Sequence, residues 1–204
     1  MTDHSHQCDS CESQLKSSLF CNACERLQQL DEEEDYFSIF NQPQSYAIDR
    51  AAIENNFDEM IVNLHPDFFA QADERDQSLS LHHTSLLHQA KGCLFNPFER
   101  GKYLLNLLLP GQDLILGNPP QSFLMEMFEL QEDLDQLDRG QGDPDALATK
   151  IEGLVQNCDQ ALQSGFSGFA PENRSGIQQL KDELSKLKFL LNLQTRMEEI
   201  RRKR

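Results

Sequence analysis

At 204 residues, the chain is long enough to bury one or two hydrophobic cores. Its formal net charge of −16, from 34 acidic against 18 basic residues, opposes binding to nucleic acid, whose phosphates need a basic surface, and disfavours an acidic partner. No run of eighteen apolar residues is present, and the start MTDHSHQCDSC carries neither an apolar signal stretch nor an arginine-rich pattern, so a cytoplasmic protein without a membrane-spanning helix is expected.

The first block, residues 1–35, is polar and closes on the acidic run DEEED, read as a solvated hinge. Four of the six cysteines fall here, as Cys8-x-x-Cys11, nine intervening residues, and Cys21-x-x-Cys24. Each Cys-x-x-Cys turn can offer two thiolates to one tetrahedral ion, and two turns close its shell. With no position left for water or substrate, such an ion is structural, and its binding energy is folding energy for a segment with few apolar side chains. Zinc is the expected metal, with iron in a rubredoxin-like site less favoured and a redox dithiol the alternative. His4 and His6 stand near enough to replace a sulfur, although four cysteines suffice. Only Lys16 and Arg26 are basic before Asp35, so a zinc ribbon for nucleic acid is a poor reading.

The second block, residues 36–109, is dominated by two antiparallel helices. Asp49 is placed to cap the first, whose Ile53, Phe57, Met60, Ile61 and Leu64 keep helical spacing until Pro66 ends it. The second runs from about Asp76 to Cys93 with Leu79, His83, Leu86, Ala90 and Leu94 near one face. His83 reads as a satisfied core histidine rather than a ligand. Cys93 and Cys158 read as small buried residues without chemistry. Asn96-Pro97 starts a short further helix. Between the long helices, "NLHPDFF" places His65, Pro66 and Asp67 in a rigid loop whose carboxylate can accept a forked pair of hydrogen bonds from an arginine. As a bare tripeptide it also reads as a plain turn.

A proline- and glycine-punctuated connection, residues 110–121, leads to a third block, residues 122–204, of three helices: Ser122 to about Arg139, about Asp143 to Ser164, and about Pro171 to Arg202. The terminal RRKR complements the dipole of the last helix. Period-two alternation is absent, so the fold is mainly α, with little or no sheet outside the N-terminal block.

The first of these three helices is unusual. On a helical wheel Phe123, Met127, Leu130, Leu134 and Leu137 fall within roughly 40° of one direction, an ordinary core stripe. Leu124, Met125 and Phe128 lie between about 100° and 200° around the same wheel, with Glu129 and Glu132 beside them. One core cannot bury both stripes. The second stripe faces either a neighbouring helix or domain, or a partner.

Taken together, "DYFSIF", the His65-Pro66-Asp67 hairpin, "NPFERGKYLL", "SFLMEMFEL" and "LKFLLNL" (Leu187 to Leu193) resemble, in order and from about Asp35 onward, the HscB family of J-type co-chaperones for iron–sulfur cluster assembly. The cysteine block is similar to the extra N-terminal metal domain of some members. The resemblance implies an N-terminal zinc-binding module, a J-domain helical hairpin over residues 36–109 and a C-terminal three-helix bundle. It implies that His65, Pro66 and Asp67 engage a DnaK/HscA-type chaperone and stimulate its ATPase. It implies, too, that Leu124, Met125, Phe128, Glu129 and Glu132, with Phe189 from the last helix, bind an IscU-type scaffold protein. Compartment follows the source: bacterial cytoplasm, or the mitochondrial matrix in a eukaryote.

The chain departs from the family where the chaperone is met. J-domains usually carry lysines and arginines on the helix before the loop; here Arg50 is its only basic residue, against Glu54, Asp58 and Glu59. Phe68 replaces the usual lysine after the loop, and Lys91 stands where an aromatic is usual. Attraction to an acidic chaperone surface is thereby weakened or reversed. The expected function is that of a binding protein, not an enzyme, since no nucleophile–base pair or phosphate-binding glycine loop is present. The alternative is a metal or redox protein working through its four N-terminal cysteines, with a degenerate J-domain.

Overall fold

A computed structural model of the protein describes residues 7–8, 10–14, 19–21, 23–24, 26–29, 34–112, 114–117 and 119–203. His4, His6, most of the acidic run and Arg204 lie outside the described residues. The fold is mainly α, as the sequence predicts: α1 (Tyr36–Ile39), α2 (Arg50–Asn63), α3 (Glu74–Phe95), α4 (Pro97–Leu108), α5 (Gln121–Asp138), α6 (Pro144–Ser167) and α7 (Arg174–Lys203), with a 3-10 turn at Pro66–Phe69. Among the described residues, β-structure is confined to two isolated bridges in the cysteine module, Gln7 to Gln14 and Phe20 to Leu27. No helix of the described residues is long and apolar enough to cross a membrane.

Packing divides the chain into two units, residues 1–44 with 48–95, and residues 45–47 with 96–204. Composition divides it after Leu109, whereas packing divides it before Asn96. The reason is visible in α4, which lies on α7 so closely that a Cβ on Gly101 would stand 2.5 Å from Leu184 Cδ2. A side chain there would have to displace the tip of Leu184 and crowd the Tyr46 ring at 3.1 Å.

In the first unit the "DYFSIF" stretch is a core plug. Asp35 accepts the N–H groups of Phe37 (2.8 Å) and Ser38 (3.1 Å), starting α1 and turning Phe37 and Phe40 wholly inward. They join Ile53, Phe57 and Leu64 of α2 and Leu87, Ala90 and Leu94 of α3. Asp49 caps α2 as predicted, accepting from the Ala52 N–H at 3.0 Å. The buried face of α3 is rotated from the predicted one: Asp76, Ser80, His83, Leu87, Ala90 and Leu94 point inward, and Leu79 and Leu86 are half-buried. His83 is fully buried, but neither ring nitrogen has a hydrogen-bond partner among the described residues, so it is not the satisfied histidine expected. Cys93 is half-buried rather than buried.

In the second unit α6 and α7 run antiparallel in a register marked at three points. Gly165 faces Leu180, the Cys158 thiol donates to the Glu183 carbonyl at 3.2 Å, and Asp145 pairs with Arg201 at 2.6 Å. α5 completes the bundle with Met127, Leu130, Leu134 and Leu137 buried, while Phe123 is half-buried. The segment around Tyr46 is bound into this unit: the ring stacks on Phe166 (centroids 5.1 Å apart), and its hydroxyl donates to Asp159 at 2.7 Å. Burial first, then that carboxylate, holds the Tyr46 hydroxyl protonated far above the usual range. The Arg100 guanidinium lies 4.6 Å from the ring centroid.

Candidate functional site

Three groups of residues carry chemistry. The first is the cysteine module, where the sulfurs of Cys8, Cys11, Cys21 and Cys24 all lie within 4.8 Å of one another. Cys8 and Cys24 are 3.6 Å apart and Cys11 and Cys21 3.5 Å. Four thiolates arranged tetrahedrally at about 2.3 Å from one ion stand about 3.8 Å apart, so the donor set fits a single four-coordinate metal ion. Each Cys-x-x-Cys turn also aims a backbone N–H at its first sulfur, Ser10 to Cys8 at 3.3 Å and Ala23 to Cys21 at 3.4 Å, which favours the thiolate. Crowding separates the acidities of the sulfurs. The Ser13 hydroxyl and N–H lower Cys11 to about 6. At Cys24 the Arg26 N–H acts downward, but desolvation and the neighbouring thiols outweigh it and push the group up to about 12. A cation among the sulfurs relieves that repulsion.

The second group is the loop between α2 and α3. Leu64 ends α2 fully buried, and its carbonyl accepts from two α3 hydroxyls, Ser80 at 2.7 Å and Thr84 at 3.3 Å. The next residue turns outward. His65 heads the 3-10 turn, accepting the Asp67 N–H on Nδ1 at 3.3 Å, which places the proton of the neutral ring on Nε2. Asp67 is 90% exposed at its side chain and lies 3.6 Å from His65 Nδ1. Pro66 holds the first position of the turn. Phe68 follows at 74% exposure, its ring 6.4 Å from that of His65. The loop is thus a free carboxylate and an imidazole on a stem tied from behind. Ser80 and Thr84, the ties, escaped sequence reasoning; their one signal is two hydroxyls spaced i, i+4 on an apolar helix face.

Among the described residues, α2 and Lys91 offer no free cation on the flank of this loop. On α2, Glu54, Asp58 and Glu59 are exposed. Arg50 is turned back onto its own unit, donating to the Phe95 carbonyl at 3.1 Å with its guanidinium 4.2 Å over the Phe95 ring. Lys91 sits 4.2 Å over the Phe57 ring and 3.9 Å from Glu54. Lys91 is thus a cation held on aromatics, its ammonium also 5.4 Å from the Phe95 ring centroid.

The third group is the second stripe of α5. Leu124 is 41% exposed, and Met125 and Phe128 are each 62% exposed. Among the described residues, no helix of their own unit covers them. Glu129 and Glu132 are exposed beside them, and Phe189, on α7, is 42% exposed. Ile115, on the connection between α4 and α5, is 77% exposed and has no counterpart in the predicted set.

Comparison with known proteins finds relatives that span most of the chain. The profile of the family described as "HSCB C-terminal oligomerisation domain" matches residues 119–198. A co-chaperone protein HscB homolog of Vibrio vulnificus is 30% identical over 172 residues, which are 83% of this chain and 98% of that protein. The remainder of this chain is about the size of the cysteine block. The human iron–sulfur cluster co-chaperone protein HscB is 26% identical over 179 residues, covering 87% of this chain and 73% of that protein. The crystal structure of human co-chaperone protein HscB superposes with a TM-score of 0.73 at 25% identity, covering 97% of this chain and 98% of that one. With 30% identity over nearly the whole length of an HscB homolog and the matching fold of human HscB, the chain belongs to the HscB family of co-chaperones.

Proposed function

We propose that this protein binds an IscU-type iron–sulfur scaffold protein on α5 and α7 and delivers it to a DnaK/HscA-type chaperone, whose ATPase it stimulates through His65, Pro66 and Asp67. It acts as a binding protein and not as an enzyme. The observation that carries the reading is the exposure of Leu124, Met125 and Phe128 on a helix that already buries Met127, Leu130, Leu134 and Leu137. Full burial of side chains of this kind is worth roughly 1.5 to 3 kcal/mol each, from which the cost of association is subtracted. The result is reversible binding, as suits a carrier that must release its cargo. Glu129 and Glu132 supply polar contacts around the strip, and Phe189 a second aromatic anchor.

The four cysteines are proposed to hold zinc. When bound, zinc supplies folding energy to the module rather than reactivity, because all four ligands come from the protein.

The test of cargo binding is capture of the scaffold by wild-type protein and by Leu124→Ala/Phe128→Ala. Loss of capture by a folded double variant is expected, and undiminished capture overturns the assignment. For the loop, chaperone ATP turnover is measured with wild type and with His65→Gln; stimulation by the first and not the second is expected. A second reading, a J-domain that binds the scaffold but no longer stimulates the chaperone, is favoured by one observation: Arg50, the sole cation of α2, is engaged by Phe95. Absence of stimulation by wild type selects it.

A further inference from the structure

We infer that the four-cysteine module is a metal-dependent brace for the start of α3, and through it for the loop at His65. Arg26 joins the two ends of the device. Its carbonyl accepts the N–H of Cys21, one of the four cysteines, at 3.0 Å. Its guanidinium reaches across fifty residues of sequence to Asp76 Oδ2 (3.3 Å) and to Asp73. Asp73 holds the first turn of α3 by accepting the Asp76 N–H on its other oxygen at 2.9 Å. From the opposite side Arg75 donates to the Leu27 carbonyl at 3.2 Å, and the Leu27 side chain is fully buried. The stem of the His65 loop closes on the same turn, where the Gln77 amide donates to the carbonyls of Ala72 (2.9 Å) and Ala70 (3.3 Å).

These contacts join two elements of very different autonomy. α3 is a long helix with its own core partners. The module has few apolar side chains, and Arg26 and Leu27 are held in place only while the sulfurs around Cys24 are gathered. Metal at the cysteines therefore favours the docked Arg26, and by thermodynamic necessity the docked Arg26 favours metal by the same factor. The inference rests on the reading that the four cysteines hold a metal ion. It adds that the ion steadies the chaperone-facing loop from behind, so that metal loading regulates the hairpin.

The test uses the full chain and Zn2+ in competition with a chromophoric chelator. Asp73→Asn/Asp76→Asn alters no sulfur, yet lowers Zn2+ affinity by roughly tenfold; Arg26→Gln does the same from the other side. Ala90→Gly, in the buried part of α3 away from the contact, leaves the affinity unchanged. In wild type, chelation speeds backbone amide exchange at Asp76 and Gln77 and leaves Leu87 to Leu94 as protected as before. Wild-type Zn2+ affinity in the aspartate and arginine variants overturns the brace, as does an equal loss in Ala90→Gly. Failure of wild type to bind one equivalent of Zn2+ overturns the metal reading itself, and the brace with it.

Discussion

α5 and α3 break the same packing rule in opposite directions. α5 turns Leu124, Met125 and Phe128 toward water, whereas α3 turns Asp76, Ser80 and His83 into the interior. Two of the three polar residues on α3 have partners that account for them. Asp76 meets Arg26 and Arg75, and Ser80 meets the Leu64 carbonyl. A buried polar group with a partner is a structural device. Among the described residues of its own unit the strip on α5 has no covering partner, and an uncovered apolar strip beside carboxylates is the feature on which the proposed scaffold contact rests. The informative quantity is therefore whether the exception is satisfied within the chain.

The sharpest separation of the two stripes of α5 comes from cutting into the buried one. Leu134 is fully buried between the helices of the bundle, so Leu134→Ala is expected to cost roughly 2 to 5 kcal/mol in a denaturant unfolding experiment. A loss below 1 kcal/mol would show that this stripe is not the core.

On α3 the unsatisfied residue is the one to remove. Burial, and secondarily the His82 charge, lowers His83 from 6.5 to about 4. The sign follows directly. Between those values the unfolded chain takes up a proton that the folded chain refuses, so stability is lost as pH falls from about 6.5 toward 4. By pH 5 the loss is about 2 kcal/mol. His83→Leu abolishes this part, so the stability difference between variant and wild type widens in the variant's favour by about that amount between pH 7 and pH 5. A constant difference across that range would mean the ring finds a partner on protonation.

Ser80→Ala sharpens the other side of the comparison. It removes the shorter of the two bonds to the Leu64 carbonyl but leaves Thr84 at 3.3 Å, so the cost is about 1 kcal/mol, less than for a wholly orphaned carbonyl. Amide exchange localises it: the increase is expected at His65 to Phe69 more than at Leu87 to Leu94.

What could be read from the sequence divides along the same line. Helix limits came through because their signals are local: Asp49, Asn96 and Asp143 cap α2, α4 and α6 through bonds spanning two or three residues. Both stripes of α5 were visible because periodicity alone separates them, although Phe123 proved only half-buried. The inner face of α3 was misread because a hydropathy wheel assigns Ser80 and Asp76 to solvent. Their partners, Leu64 and Arg26, are sixteen and fifty residues away, and no local pattern announces them. Arg26, which the sequence offered only as one of two basic residues before Asp35, pairs with Asp73 and Asp76. The orphaned ring of His83 was likewise invisible, since a core histidine and a satisfied one share the same spacing.

The smallest expected effect on stability closes the comparison. Phe128 sits one residue from the core stripe, yet it is 62% exposed and so has little contact energy to lose. Phe128→Ala is expected to move the unfolding free energy by less than about 0.5 kcal/mol, as surface substitutions do. Alanine also has the higher helix propensity, which offsets part of any lost contact. A cost approaching that of Leu134→Ala would place the ring inside the fold and remove the reason for assigning it to a partner. If instead the two substitutions differ several-fold in their cost, one helix carries two faces with separate purposes, one answering to the bundle and one left open for cargo.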